Sequence, residues 1–274
     1  MSENVIDVWN VETFDEALRM ELCANAELIR NYMLTDRQNF LERQASNRML
    51  LHPTNPYAAS YQRFLEDVGR DMEARTIRAW HYTRLTDAET DTLRAAGVYP
   101  STLETTRRRL DAQVAAAELS AEIADALFAQ SPFHHAEQLE PRSKKFWMTS
   151  HPVQIEDGGV TPLLGSWGGE AVYFWLDDAT LEQLVRGVGK PRVLEIAVPL
   201  NATRHAHRAG EAVVASFGRM LDCTPYTGGF DLYVRRALRP EVVLAIHTEG
   251  EAVFADIAKG YPTEFSRTLE QLPI

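Results

Sequence analysis

Residues 76–83 read Thr-Ile-Arg-Ala-Trp-His-Tyr-Thr, and this stretch decides the fold class. Apolar and polar side chains alternate along it, and β-branched and aromatic residues are frequent, which predicts a strand. A helix is expected next, because Thr86 can cap it and Glu89 follows three residues later, as in a capping box. Upstream of Thr76 the pattern is helical, and downstream it is mostly strand-like.

The order of these patterns predicts an α+β protein. Helical spacing over residues 1–75 indicates an N-terminal helical section, and residues 76–274 form an α+β catalytic-like domain. Helices followed by strands with irregular connections argue against a doubly wound parallel sheet. Further strands are expected at 145–150, 171–176, 192–199, 230–235 and 242–246, and further helices at 101–130, 178–186 and 210–221.

Composition places limits on compartment and partners. The chain has 274 residues and a formal net charge of −11, which works against non-specific binding to nucleic acid. Its two cysteines, Cys23 and Cys223, are far apart and lack metal or redox spacing. The acidic N-terminus does not resemble a signal peptide, and no stretch is apolar enough to span a membrane, so we expect a cytoplasmic protein without a membrane partner.

Three short basic clusters interrupt this acidic background. Each is read first as a solvated face, but an anionic ligand becomes plausible if they meet around one cleft. The clusters are Arg107, Arg108 and Arg109; Arg142, Lys144 and Lys145; and Arg235, Arg236 and Arg239.

The first candidate site is the strand that carries His81. Its imidazole is followed by Tyr82, Thr83 and Arg84, which supply hydrogen-bond donors for a ribose or a phosphate. The alternative is a histidine satisfied by the strands around it.

The second candidate is the run from Trp167 through Gly168 and Gly169 to Glu170. Paired glycines allow close approach of a ligand or a turn with positive φ. Trp167 offers a flat ring for stacking, and Tyr173 lies on the strand expected at 171–176. The alternative is a tight turn with a solvent-facing carboxylate.

The third candidate is Asp231, which follows Tyr226, Thr227, Gly228 and Gly229 at the start of an expected strand. Its carboxylate is suited to stabilise a developing cation or to act as a base. Aspartate is also common at strand-entry turns, which is the alternative.

Several well-defined motifs are missing from the sequence. There is no HExxH zinc motif, and the histidines at 134, 135, 151, 205 and 207 have no cysteine near them, so we expect no metal. The phosphate-binding loop, the serine nucleophile elbow and the dinucleotide fingerprint are also absent.

Residues 79–101, AWHYTRLTDAETDTLRAAGVYPS, resemble the opening of toxin-like ADP-ribosyltransferases, in which a strand carrying HxT precedes a short helix and a glycine. Residues 230–246, FDLYVRRALRPEVVLAI, resemble the closing pattern of that family, an acid at a strand start followed by two hydrophobic strands. The resemblance covers residues 76–250 but rests on about a dozen positions. It implies a split antiparallel β-sheet core with helices, preceded here by the N-terminal helical section.

The resemblance also implies roles for individual residues. His81, with Thr83 beside it, would contact the nicotinamide ribose of NAD, and Tyr173 would pack on the nicotinamide. Asp231 matches the catalytic acid, which is usually Glu in the family, and Glu170 is the alternative acid. One of Arg107, Arg108 and Arg109 would fill the arginine role of nucleic-acid-modifying members. We therefore expect an imidazole, an aromatic ring and a carboxylate to line one pocket.

The function implied is an NAD-dependent ADP-ribosyltransferase that modifies a macromolecular acceptor, nucleic acid or protein, as a toxin or phage-defence effector. NAD would be its substrate, and an antitoxin or other regulatory protein would be its partner. Two alternatives stay open: an NAD glycohydrolase on the same fold, and a non-catalytic partner-binding module with a degenerate site.

Overall fold

The structure is a computed structural model that describes residues 5–45, 54–225 and 228–260. Tyr226 and Thr227, named above at the third candidate site, lie outside the described residues. The chain divides into two compact units. Unit 1 takes residues 1–78 and 198–230, and unit 2 takes 79–197 and 231–261.

The strands are β1 (Val5–Ile6), β2 (Thr76–Leu85), β3 (Phe146–Thr149), β4 (Lys190–Pro199), β5 (Asp231–Val234) and β6 (Val243–Thr248). The helices are α1 (Glu16–Ala24), α2 (Ala26–Ala45), α3 (Ala58–Met72), α4 (Asp87–Ala96), α5 (Leu103–Ala115), α6 (Ala121–Ala129), α7 (Ala136–Arg142), α8 (Thr161–Gly165), α9 (Glu170–Tyr173), α10 (Ala179–Gly187), α11 (Ala206–Met220) and α12 (Ala252–Ile257).

Unit 1 is mainly helical and is built on the close approach of α3 and α11. A Cβ atom on Gly210 would lie 2.9 Å from the backbone of Gly69, so only glycine allows this separation. Arg75 is held by Asp15, with 2.7 Å between Nε and Oδ2. Strand β1 pairs in parallel with the first residues of β2, Val5 opposite Thr76. The N-terminal helices therefore pack with a later helix of the same unit.

Unit 2 is built on strands in the order β5-β3-β2-β4-β6. All four residues of β3 pair with β5 in antiparallel register, and β4 pairs in the same sense with β6. The register of β2 with β3 is a single antiparallel pair, Trp80 with Thr149. The two strands therefore share a short contact at the middle of β2.

Two hydrophobic clusters form the core of unit 2, and the first packs on the sheet. The first contains Trp80 and Tyr82 of β2 and is covered by α8 and α12. The second joins α5, α6, α9 and α10 around Trp167, whose side chain is fully buried. Helix α4 begins with the expected capping box: Thr86 accepts from the backbone of Glu89, and Glu89 accepts from the backbone of Thr86.

The α+β prediction is confirmed, and the strand at 76–85 and the capping box are present. Two predictions about secondary structure are wrong. Residues 171–176 are not a strand, because the chain turns into the short helix α9 at Glu170. The helix expected over 101–130 is broken at Ala117, which has φ of +59°, and restarts after Ser120 as α6. The boundary between residues 75 and 76 as a division into domains stays a prediction.

Candidate functional site

His81 lies where β2 leaves β3. One residue after the Trp80–Thr149 pair, the imidazole Nδ1 lies 2.7 Å from the carbonyl oxygen of Trp147. The ring also packs on Phe146, with 4.3 Å between ring centroids. At this point the side chain of His81, instead of the backbone of β2, therefore bonds to the backbone of β3.

The environment of His81 sets its protonation. Burial lowers its pKa to about 4, the hydrogen bond to Trp147 opposes this shift, and the positive charge of Arg109 adds to it. A carbonyl only accepts, so Nδ1 carries the proton in the neutral ring. The other nitrogen, Nε2, is then an acceptor, suited to a hydroxyl donor such as that of a ribose.

Arg109 is held by a buried carboxylate. Its Nε lies 2.7 Å from Oε1 of Glu89, and its guanidinium lies 5.0 Å from the ring of Trp167. Glu89 also accepts from the Trp167 indole at 2.8 Å and from the backbone of Thr86 at 2.9 Å. Burial acts to raise the pKa of Glu89, but Arg109 and these donors bring it below its ordinary value. Glu89 is therefore an anion that ties α4, α5 and the Trp167 loop together.

The three arginines of α5 have different surroundings. Arg107 pairs with Asp111 and Asp125 at the surface, and Arg108 lies over Tyr99 at 4.9 Å. Arg109 is the one whose charge reaches His81. Its Nη2 atom is buried and, within the described residues, has no hydrogen-bond partner. Arg109 is therefore the member of the cluster that combines an unsatisfied donor with an electrostatic effect on His81.

The two glycines before Glu170 have positive φ, +93° at Gly168 and +65° at Gly169. A Cβ on Gly168 would lie 2.3 Å from the side chain of Val172, whereas Gly169 has open space. The structure therefore has the positive-φ turn that the paired glycines allow. Trp167 is 0% exposed, because its ring is part of the core. The prediction that it offers a free face for ligand stacking is therefore wrong.

Glu170 and Tyr173 lie together on α9 instead of on a strand. Burial and the charge of Glu170 raise the pKa of Tyr173, and Arg142 opposes them. The guanidinium of Arg142 pairs with Glu170, with 3.1 Å between Nε and Oε2, and lies 3.7 Å from the ring of Phe174. Glu170 keeps 40% of its side-chain surface exposed, so it is accessible to solvent and ligands.

Asp231 lies on the opposite side of the sheet from His81. It is the register partner of Thr149, which is the partner of Trp80. Directly opposed residues share a face and consecutive residues alternate, so Asp231 shares the face of Trp80 and not that of His81. Partial burial, then the charge of Asp157, raises its pKa. The expectation that His81 and Asp231 line one pocket is wrong for this geometric reason.

The residues after His81 are engaged within the protein. The hydroxyl of Tyr82 accepts from the backbone of Val153 at 2.6 Å, and burial raises its pKa to about 12. Thr83 is buried. Arg84 donates to the carbonyl of Val188 at 2.8 Å, and burial lowers its pKa. His81 uses only Nδ1 in its described hydrogen bond, which leaves Nε2 for a ligand.

Sequence reasoning missed two residues of this region. Glu89 was recognised as a helix cap, but its side chain also bonds to Arg109 and Trp167. These partners lie 20 and 78 positions away in the sequence, so the bonds were not predicted. Trp147 supplies the carbonyl that orients His81 from 66 positions away. The capping pattern could have signalled that Glu89 is ordered. No local pattern signals the partner of His81.

Among residues 5–45, 54–225 and 228–260, no three His, Cys, Asp or Glu side chains come close enough to hold a metal ion. In the same part of the chain, no helix combines the length and apolar character needed to cross a bilayer. Cys23 and Cys223 are free thiols, Cys23 exposed and Cys223 buried.

Comparison with protein-family models, curated proteins and solved structures finds no match to this chain. Any statement on its activity therefore depends on the chemistry of the residues described above.

Proposed function

We propose that unit 2 is an NAD-dependent ADP-ribosyltransferase whose ribose contact is His81. The observation that carries the proposal is the orientation of the imidazole at the point where β2 and β3 separate. A neutral ring with Nδ1 bound to a strand carbonyl offers Nε2 as an acceptor to a ribose hydroxyl. The local sequence resemblance to such enzymes agrees with this role.

Arg109 is the proposed contact for the pyrophosphate of NAD. Its Nη2 is buried and, among the described residues, nothing accepts its hydrogen bond, while the charge of Arg109 acts on the imidazole of His81. A phosphate oxygen would satisfy this donor, and guanidinium–phosphate contacts are strong because both groups are charged.

Glu170 is the proposed catalytic acid, in preference to Asp231. Trp167, on which Arg109 packs, precedes Glu170 by three positions, whereas Asp231 lies on the other face of the sheet from His81. The tyrosine that the resemblance assigns to the nicotinamide, Tyr173, lies on the same short helix as Glu170.

The reaction would proceed by cleavage of the bond between the nicotinamide nitrogen and ribose C1′. The bonding electrons leave with nicotinamide, and positive charge develops on the ribose ring, as in glycoside hydrolysis. Glu170 would stabilise that charge and accept the proton of the acceptor nucleophile as its bond to C1′ forms.

The test measures nicotinamide release and transfer of label from adenine-labelled NAD to single-stranded DNA, RNA and lysate proteins. His81→Ala and Glu170→Gln are expected to abolish both. Asp231→Asn should retain them, as should the control Glu182→Gln, whose side chain is 44% exposed and lies on α10. Melting temperatures of all variants separate loss of chemistry from loss of fold, since Glu170→Gln also removes the ion pair with Arg142.

The outcomes are distinct. Nicotinamide release without labelled macromolecule indicates the NAD glycohydrolase. Loss of activity in Asp231→Asn with full activity in Glu170→Gln returns the catalytic role to Asp231. No release, together with a melting temperature unchanged by millimolar NAD, contradicts both enzymes and leaves the partner-binding module, because a ligand of the folded state must raise its stability.

A further inference from the structure

A second surface of unit 2 combines aromatic rings with cations. Trp147 of β3 and Tyr233 of β5 are register partners, so their side chains lie on the same face of the sheet. Their ring centroids are 4.6 Å apart and their planes are inclined by 63°. Trp147 remains 38% exposed, and β5 ends the strand order, so the pair lies at a sheet edge.

Cations adjoin both rings. The Nζ of Lys145 lies 4.8 Å from the centroid of Tyr233 and 5.4 Å from that of Trp147. The guanidinium of Arg235 lies 5.5 Å from the Tyr233 ring. Lys144 precedes Lys145, Arg236 follows Arg235, and both are exposed. Two of the three basic clusters of the sequence therefore meet here; Lys145, Trp147, Tyr233 and Arg235 are called the Trp147 platform below.

One carboxylate contacts both cations of the Trp147 platform. Glu140 of α7 lies 2.9 Å from Arg235 and 3.7 Å from Lys145 through the same oxygen, and its side chain is 81% exposed. An exposed carboxylate that bridges two cations occupies the position an anionic ligand would take, and it can be displaced at little cost.

We propose that the Trp147 platform binds single-stranded nucleic acid, with a base on the indole and a backbone phosphate on Arg235. Lys145 is only 7% exposed and its Nζ donates to the backbone carbonyl of Glu140, so it contributes charge beneath the rings rather than a direct contact. Unpaired bases stack on aromatic side chains, and cations follow the phosphate backbone. An acidic peptide would use the cations but leave the indole face uncovered. The net charge of −11 confines such binding to a local basic surface and makes it sensitive to salt.

This binding requires neither NAD nor His81, so its test is independent of the proposed enzymatic activity. The probe is a fluorescein-labelled single-stranded DNA or RNA of about 12 nucleotides, within the size range of sites on single domains. Fluorescence anisotropy gives the dissociation constant of the full-length protein at low and moderate salt.

Trp147→Ala is expected to weaken binding roughly 5- to 150-fold, the effect of losing one stacked base. Phe174→Ala is the matched control, because Phe174 is 39% exposed but lies at the C-terminal end of α9, outside the Trp147 platform. Arg235→Gln should lessen the salt dependence of binding. Trp147→Phe, which keeps a stacking ring, should bind more tightly than Trp147→Ala.

Glu140→Gln should tighten binding, because it removes the carboxylate charge that competes with phosphate for Arg235. Structural damage would not produce this gain. Absence of saturable binding by wild-type protein, equal losses in Trp147→Ala and Phe174→Ala, or a weaker Glu140→Gln variant would each overturn the proposal. A poly-glutamate peptide that binds at least as tightly as the oligonucleotide and is unaffected by Trp147→Ala would also overturn it and indicate an acidic protein partner.

Discussion

The imidazole of His81 and the backbone of Trp147 are joined by a hydrogen bond of 2.7 Å between neighbouring strands. The bond lies next to the single register pair of β2 with β3, and it fixes both the orientation and the tautomer of the ring. The chemistry proposed for His81 depends on this neutral, oriented state, so the state itself is the first thing to measure.

We expect His81 to remain neutral, with Nδ1 protonated, from pH 8 down to about 5, because burial lowers its pKa to about 4. Nitrogen-detected NMR of the histidine side chains measures this directly. A His81 resonance that titrates near its ordinary pKa of 6.5, or that shows a protonated Nε2 at neutral pH, would contradict the described hydrogen bond.

The same shift predicts a pH dependence of stability. The unfolded chain takes up a proton near pH 6.5 and the folded chain near pH 4, so the free energy of unfolding falls as pH decreases through this window. Above pH 6.5 the residue contributes no slope. His81→Asn, whose side-chain amide retains a donor, should lose less stability between pH 7 and 5 in urea unfolding. His151, whose pKa burial also lowers to about 4, gives a parallel variant, His151→Asn.

The ion pair of Glu89 with Arg109 is largely buried, with 13% and 20% of the two side chains exposed. Glu89→Ala leaves this guanidinium without its counter-ion and the Trp167 indole without its acceptor, so we expect a loss of about 3–5 kcal/mol. Chemical denaturation measures the free energy of unfolding.

Arg107→Ala is the control for this prediction, because Arg107 is on the same helix as Arg109 but its partners Asp111 and Asp125 are exposed. Its expected cost is about 0–1 kcal/mol. Similar losses of unfolding free energy in Glu89→Ala and Arg107→Ala would contradict the expectation that the buried pair stabilises unit 2 more than the exposed one.

Local chemistry was sufficient to predict β2 and the start of α4, because alternation and the capping box are encoded within a few residues. Residues 171–176 show where such reasoning fails. Their β-forming side chains predict a strand, but the positive-φ turn at Gly169 starts a helix that buries Ala171 and Val172. Packing of this kind overrides propensity.

The candidate site was predictable only in part. His81 was identified from its own strand, but its partner and the sheet face of Asp231 depend on pairings between residues 66 and 82 positions apart, Trp147 with His81 and Thr149 with Asp231. Which of three consecutive arginines pairs with a buried carboxylate depends on the contact of α5 with Glu89.

The glycine pair before α9 should respond unequally to substitution. Gly168→Ala combines a positive φ with a contact of 2.3 Å to Val172, whereas Gly169→Ala has the positive φ alone. We expect about 1–3 kcal/mol from backbone strain in each and a further 1–3 kcal/mol from overpacking in Gly168→Ala. Thermal or urea unfolding ranks the two, and a less stable Gly169→Ala variant would contradict the described packing of α9.

Within unit 1, the approach of α3 to α11 depends on Gly210. A methyl group there would lie 2.9 Å from the backbone of Gly69, so Gly210→Ala must push the helices apart and should cost about 1–3 kcal/mol. Gly187→Ala serves as the control in unit 2: this glycine ends α10 with nothing within 4 Å of its added methyl group, and alanine favours a helix by up to about 1 kcal/mol. The two variants should therefore move the free energy of unfolding in opposite directions. If Gly210→Ala were as stable as the wild-type protein, α3 and α11 could not be in backbone contact at this position.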